Sequence, residues 1–500
     1  MLHRLRSIYL LILLLLSTPL LVAQPPTETI TIDASAPAHP FPHYWEQMFG
    51  SGRAVLSLRD AYRRDLRAVR QITGMQYVRF HAVLDDEVGV YDEDKQGKPI
   101  YNFSYVDQIY DGLLANNVKP YVELSFMPYK LAARQDLHSF WYQPNVALPK
   151  DYAKWDDLVT QFTKHLVERY GIDEVATWYF EVWNEPNIDF WAGTPKQESY
   201  FELYDHTARD IKAVNLRLRV GGPATAQAAW IPAMIQHAQK KNVPLDFVSS
   251  HVYGNDKASD VFHSNEKVPR DQMVCRAVRM MREQLKASPR PELPLIVSEF
   301  NAAYDNEVAV TDSIYMAPWL ATTISQCDGL AEMMSYWTFS DVFEEQGIVK
   351  EPFYGGFGLI AAGGIPKPSF YAFQVLHRLG DKRLENSNPN VLVTKTSEGR
   401  LTVAVWNLAE PGVSGEPKTV KLDFKGVKPD ARIGISRVDD QHGNTLGLYE
   451  KMGKPRYPTP DQIRDLRENS RLPDPTYDEL TDGSYTLQLP VNGLVVIQVR

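Results

Sequence analysis

The stretch YFEVWNEPN, residues 179–187, decides the fold. Its opening residues, aromatic and β-branched around one glutamate, have strand character. The run then breaks into Asn184, Glu185 and Pro186. An apolar strand that ends on an amide and a carboxylate is what a (β/α)8 barrel requires, because its chemistry gathers at the C-terminal ends of the strands. Seven further runs share the strand character: HYWEQMFG (43–50), MQYVRFHAV (75–83), VKPYVELSF (118–126), LRVGGP (218–223), LDFVSSHVY (245–253), LPLIVSEF (293–300) and MMSYWTFSD (333–341). Between and after them lie helical segments at 57–73, 103–117, 151–170, 197–215, 226–241, 270–287, 312–328 and 369–380. In 151–170, for example, Trp155, Leu158, Val159, Phe162, Leu166 and Tyr170 recur at helical spacing. Eight strand–helix units predict an α/β fold of the TIM-barrel type. A doubly wound open sheet is the competitor, but no Gly-rich phosphate loop follows the first strand.

Beyond about residue 385 the pattern changes to short alternating runs such as RLTVAVWNLA, KTVKLDF and GLVVIQVR, separated by Gly, Pro, Asn and Asp. That composition predicts an accessory β-sandwich. The same alternation in ETITIDA (28–34) suggests that the N-terminal segment crosses back to join it. The expected division is a leader at 1–23, a sandwich-completing segment at 24–40, the barrel at 41–382 and the sandwich at 383–500, with 451–477 as an extended loop. The sandwich reads as packing support or as a contact in a homo-oligomer.

The N-terminus reads MLHRLRSIYLLILLLLSTPLLVAQ: Arg4 and Arg6, an apolar run from Ile8 to Leu16, then Ser17, Pro19 and Ala23 before Gln24. This is the pattern of a secretory signal, and the run is short for a membrane anchor. The expectation is a secreted or periplasmic protein with no membrane association after cleavage. With 53 Lys and Arg against 62 Asp and Glu, the formal net charge is −9. Such a chain is a poor partner for nucleic acid or anionic lipid. The only cysteines, Cys275 and Cys327, fall inside expected helices, and a bridge between them is not the expectation. The histidines show no metal-ligand spacing, so neither a metal nor another cofactor is indicated.

Candidate chemistry therefore rests on strand ends. The fourth strand ends at Asn184 and Glu185, and the seventh at Ser298 and Glu299. The sixth carries His251 and Tyr253, the second His81, the third Phe126 and the eighth Trp337. Taken singly, each glutamate reads equally as a helix cap or an arginine partner. Two of them at one barrel mouth fit glycoside hydrolysis, where one carboxyl protonates the leaving oxygen and the other meets the oxocarbenium-like carbon. A carboxyl kept protonated near neutral pH needs burial and a second negative charge nearby, which Trp183 and Glu299 would supply.

WNEPN and VSEFN resemble the strand ends of a large clan of retaining barrel glycosidases. The segment YWTFSDVFEEQG…FYGGFGLI…GIPKPSFYAFQVL, from Tyr336 to Leu376, resembles more specifically the β-xylosidases of glycoside hydrolase family 39. RFHAVLDDEVGVY (79–91) and YVELSFMP (121–128) are similar to that family's second and third strand ends. The resemblance spans most of 40–380 and implies Glu185 as general acid/base and Glu299 as nucleophile. It implies that Asn184 bonds the sugar 2-hydroxyl, that His81, His251 and Tyr253 line the same subsite, and that Phe126 closes a wall. Trp337 would offer the ring a face, and Glu344 and Glu345 would accept sugar hydroxyls. The loop 340–353 is longer than the family pattern, and Tyr354 stands where a His is common.

The family also contains α-L-iduronidases, whose carboxylate substrate calls for Lys or Arg. Asp341, Glu344 and Glu345 would repel it, so a neutral sugar is favoured. The resemblance implies removal of non-reducing-end xylose from xylo-oligosaccharides or plant glycosides by double displacement. Arabinosides, galactosides and glucosides are alternatives. A non-catalytic carbohydrate-binding barrel is the reading from another class, and it would have been signalled by loss of either glutamate.

Overall fold

The computed structural model describes residues 27–500, and the expected leader lies outside them. Eight parallel strands close into a barrel in sequential order: β1 (Met48–Gly50), β2 (Tyr77–Phe80), β3 (Lys119–Leu124), β4 (Tyr179–Val182), β5 (Arg219–Thr225), β6 (Phe247–Tyr253), β7 (Leu295–Asn301) and β8 (Met333–Tyr336). Every residue of β6 and β7 is buried, as a parallel sheet covered by helices on its outer face demands. The outer ring includes helices at Asp60–Ile72, Ser104–Leu114, Tyr152–Tyr170, Lys196–Val214, Ile231–Lys241, Arg270–Lys286, Met316–Gln326 and Pro368–Leu376. The Tyr152–Tyr170 helix begins where the Asp151 side chain accepts the Ala153 N–H at 2.9 Å. It stops at Gly171, whose φ of 81° is left-handed, and it buries Trp155, Leu158, Val159, Phe162 and Leu166.

Alternation along the strands fills the barrel in layers. Met48, Tyr121, Phe247, Ile296 and Met333 pack together with Tyr77 and Tyr179 against them. Two residues along, Arg79, Glu123 and Glu181 are fully buried and form the next layer. His81, Asn184 and Glu299 follow towards the C-terminal mouth. At that mouth Gly50 leaves room for an aromatic ring: a Cβ there would stand 2.1 Å from Trp337 Cε3.

The accessory sandwich packs a three-stranded sheet on a seven-stranded one. Glu28–Asp33 pairs in parallel with Lys418–Lys425, and Ala38–Pro40 pairs with Lys382–Leu384 in the other sheet. Ile30, Ile32, Leu422 and Phe424 meet Val393, Val403, Ile433 and Ile497 in one apolar layer. A segment expected to be a loop, 451–477, contains the helix Pro460–Asn469. Thr459 and Gln462 cap it reciprocally and Pro460 occupies its first turn, signals that outweigh its polar composition.

The cysteines also depart from expectation. Cys275 and Cys327 form a disulfide across 52 residues, with Cα atoms 5.0 Å apart. Cys275 lies in the Arg270–Lys286 helix and Cys327 caps the Met316–Gln326 helix. Neighbouring helices of the ring bring them together, which the linear pattern does not reveal. No described helix is long and apolar enough to cross a membrane.

Candidate active site

A cavity of about 510 Å³ opens at the C-terminal end of the barrel. Of the residues singled out from the sequence, His81, Asn184, Glu185, Tyr253, Glu299, Trp337 and Glu345 line it. Oxygens of Glu185 and Glu299 and a nitrogen of His251 all lie within 4.8 Å of one another.

The two glutamates sit in different surroundings. Arg79 Nη1 donates to Glu299 Oε1 at 2.6 Å, and the Tyr253 hydroxyl donates to Oε2 at 2.5 Å. Burial raises the Glu299 carboxyl, while Arg79, His81 and Tyr253 pull the other way. Glu185 has no such cation in contact, and burial followed by the Glu299 charge holds its carboxyl well above the ordinary range. Its neighbour His251 lies 2.9 Å away through Nδ1, with Nε2 3.1 Å from Ser298 Oγ. Burial, reinforced by Arg79 and His81, keeps that imidazole neutral.

Arg79 organises the floor. It donates to Glu181 at 2.6 Å and to Asn184 Oδ1 at 2.9 Å, and it lies 2.8 Å from Glu123. The bond to Oδ1 fixes the Asn184 amide with its NH2 as the remaining donor. Glu123 in turn holds His81 Nδ1 at 2.7 Å. Burial opposes charge on His81, but Glu123 outweighs it and raises the imidazole. The His81 Nε2 is 3.8 Å from Glu299 and 3.7 Å from Glu345. Glu345 is pushed up to about 8, by burial against the pull of His81.

Three of the expected residues do not border the cavity. Glu344, read as a sugar contact, is bound by Arg53 at 3.1 Å and Arg59 at 2.5 Å and does not line the cavity. Phe126 is fully buried behind the wall, against His81 and Phe190, and it is Phe190 that reaches the cavity. His251 also stands behind the lining, in contact with Glu185. Trp183 is buried between Phe126 and Trp191.

Sequence reading passed over Arg79, Glu123, Glu181 and the rim residues His138, Gln227, Asp256, Tyr304 and Gln346. The first three carried a signal, a charge among the apolar residues of a strand. Among the described residues, two groups could offer three donor atoms to an ion: Glu185, His251 and Glu299, and separately His43, Glu46 and His377. In the first group Arg79 already occupies Glu299 and would oppose a cation.

A buried pair of carboxyls in unlike protonation environments, at the mouth of a barrel, can deliver a proton on one side of a bond and a nucleophile on the other. Comparison with known proteins identifies the family. Residues 28–478 match the model of "Glycosyl hydrolases family 39". A β-xylosidase of Geobacillus stearothermophilus is 38% identical over 436 residues, covering 85% of this chain and 86% of the relative. One from Caldicellulosiruptor saccharolyticus is 36% identical, covering 86% and 88%. The crystal structure of a monomeric β-xylosidase from Caulobacter crescentus superimposes with a TM-score of 0.85 at 33% identity, covering 95% of this chain and 99% of that one.

Proposed function

Because this chain belongs to the glycosyl hydrolases of family 39 and is therefore a glycosidase, we propose that it is a retaining β-xylosidase acting on the non-reducing end of xylo-oligosaccharides or plant glycosides. The observation that carries the mechanism is the approach of the Glu185 and Glu299 oxygens to within 4.8 Å, since retaining enzymes keep their carboxyls about 5 Å apart.

In this reading Glu299, whose anionic form Arg79 and Tyr253 support against the effect of burial, attacks the anomeric carbon. Glu185, kept protonated by burial and by the Glu299 charge, gives its proton to the departing oxygen. The resulting glycosyl ester on Glu299 is cleaved when Glu185, now a base, deprotonates a water that attacks the same carbon. The Asn184 amide is placed to donate to the 2-hydroxyl, an interaction that tightens in the transition state. Trp337 gives the sugar ring a face, and Glu345 and His81 meet its other hydroxyls.

A neutral sugar is supported by the cavity wall, which among the described residues contains no Lys or Arg side chain to receive a uronate. Xylose is supported by the two curated relatives named above. Export is supported by the leader pattern together with the Cys275–Cys327 bridge, a bond that persists in oxidising compartments.

The test is release of nitrophenol from β-xyloside, α-arabinoside, β-galactoside, β-glucoside and α-iduronide substrates. Turnover of the β-xyloside, abolished in Glu299→Ala, supports the reading. Preference for another glycoside moves the substrate, and silence across the panel refutes it.

A further inference from the structure

We propose that His43, Glu46 and His377 form a binding site for a divalent cation of the Zn²⁺ type at the N-terminal face of the barrel, the end opposite the catalytic mouth. The inference is independent of the function proposed above. It gives the ion a structural task, joining the segment that enters β1 to the helix Pro368–Leu376, the last of the outer ring.

Glu46 lies just before β1 and is 1% exposed. Nδ1 of His43 stands 2.7 Å from its Oε1, and Nδ1 of His377 stands 2.8 Å from Oε1 and 3.0 Å from Oε2. The three donor atoms all fall within 4.8 Å of one another. Two imidazole nitrogens and a carboxylate oxygen converging on one point are a zinc donor set, with a fourth position left for water. A tetrahedral ion that holds its ligands at about 2.0–2.2 Å needs them roughly 3.3 Å apart. The imidazoles therefore have to withdraw only slightly, and His43 and His377 are the partly exposed members that can do so. His377 lies 331 residues from Glu46, so the linear spacing of the histidines does not reveal the set.

The surroundings hold the donors in place. Glu46 N–H donates to His43 O at 3.2 Å, in a turn that brings both side chains together. Trp45 stacks on the His43 ring with centroids 4.4 Å apart. Phe41 N–H donates to Asp381 O at 2.7 Å, which ties the same segment to the chain just after His377. A Cβ at Gly74 would stand 3.1 Å from Glu46 Oε1, so the glycine keeps that oxygen clear. Both rings turn Nδ1 towards the carboxylate, and Nε2 keeps the proton when Nδ1 binds an ion. A buried carboxylate calls for a cation, and among the described residues no Lys or Arg bonds Glu46. Arg70 and Arg378 approach His377 but donate to Thr73 O and Ser436 Oγ, and neither occupies one of the three donors. Imidazole favours Zn²⁺ and its first-row neighbours, whereas Ca²⁺ and Mg²⁺ take oxygen ligands.

The experiment titrates Zn²⁺ into the untagged full chain after metal has been stripped from it, following uptake by competition with a chromophoric chelator and stability by thermal unfolding. Wild type is expected to bind a single equivalent of Zn²⁺ and to gain Tm as the Zn²⁺ concentration rises, while Ca²⁺ and Mg²⁺ leave Tm unchanged. His43→Ala and His377→Ala should each weaken Zn²⁺ binding about tenfold or more, since loss of even an outer partner of a metal site costs that much. His377→Ala removes an exposed side chain, so it should fold and lose the Zn²⁺-dependent rise in Tm. Co²⁺ supplies a second readout: the visible bands of a four-coordinate ion should appear in wild type and in Glu185→Gln and be absent from His377→Ala. Absence of saturable Zn²⁺ binding by wild type overturns the proposal. So does uptake that survives in both histidine variants and is lost in Glu185→Gln, which would put the ion at the catalytic carboxyls. Either result leaves the proposed glycosidase function standing.

Discussion

Arg79 and Glu299 form a 2.6 Å ion pair in which the guanidinium is wholly buried and Glu299 still faces the cavity. The pair sets the charge state of the group assigned as nucleophile. Replacing Arg79 with Met leaves Glu123, Glu181 and Glu299 buried without their shared cation. That should destabilise the protein by about 3–5 kcal/mol, as loss of one partner of a buried pair does. The milder Arg79→Lys should fold with a lower Tm and a lower kcat, because an ammonium cannot serve Glu181, Asn184 and Glu299 in one plane. Weaker support for the anion raises the Glu299 carboxyl, and activity requires the ionised form. The acidic limb of the pH–rate profile should therefore move to higher pH, and a limb that stays put would contradict the assignment.

Glu185 should define the basic limb. Its carboxyl is held well above the ordinary range by burial and by Glu299, and it must be protonated for the first step. Activity then falls as pH rises through that value. Glu185→Gln cannot titrate, so its residual kcat/KM on a nitrophenyl glycoside should lose the basic limb while keeping the acidic one. A basic limb that survives the substitution would assign the proton elsewhere.

Adjacent glutamates should behave differently. Glu345 lines the cavity beside His81, and Glu345→Ala should lower kcat/KM by about a hundredfold, the scale of one or two lost bonds to substrate hydroxyls. Glu344 is bound by Arg53 and Arg59, so Glu344→Ala should cost about 1–2 kcal/mol of stability with a much smaller effect on turnover. Denaturation curves and kinetics on the same two preparations separate the roles.

Removing the disulfide should cost stability and spare the site. Closing a loop across 52 residues is worth about 4 kcal/mol in the chain-entropy model. Cys275→Ser with Cys327→Ser should lower Tm while leaving KM for the nitrophenyl xyloside unchanged. Equal Tm values for the oxidised protein and the double variant would refute a stabilising role.

The barrel was legible because the strands are apolar runs and most of the helices are amphipathic, and these local periods survive in the fold. Glu185, Glu299 and Asn184 were legible because they interrupt apolar runs at their C-terminal ends. Arg79, Glu123 and Glu181 sat in quoted strands but were missed. Only closure of the barrel turns their shared inward face into a network. Glu344 and Glu345 could not be told apart by residue type, since what separates them is the arrival of Arg53 and Arg59 from an early turn of the chain. The Cys275–Cys327 bridge depends likewise on a contact between elements distant in sequence.

The central claim is double displacement through Glu299, and stereochemistry tests it most directly. Proton NMR of the first xylose released from 4-nitrophenyl β-xyloside, read before mutarotation, should show the β-anomer. Initial release of the α-anomer would mean single displacement by water and would contradict the account.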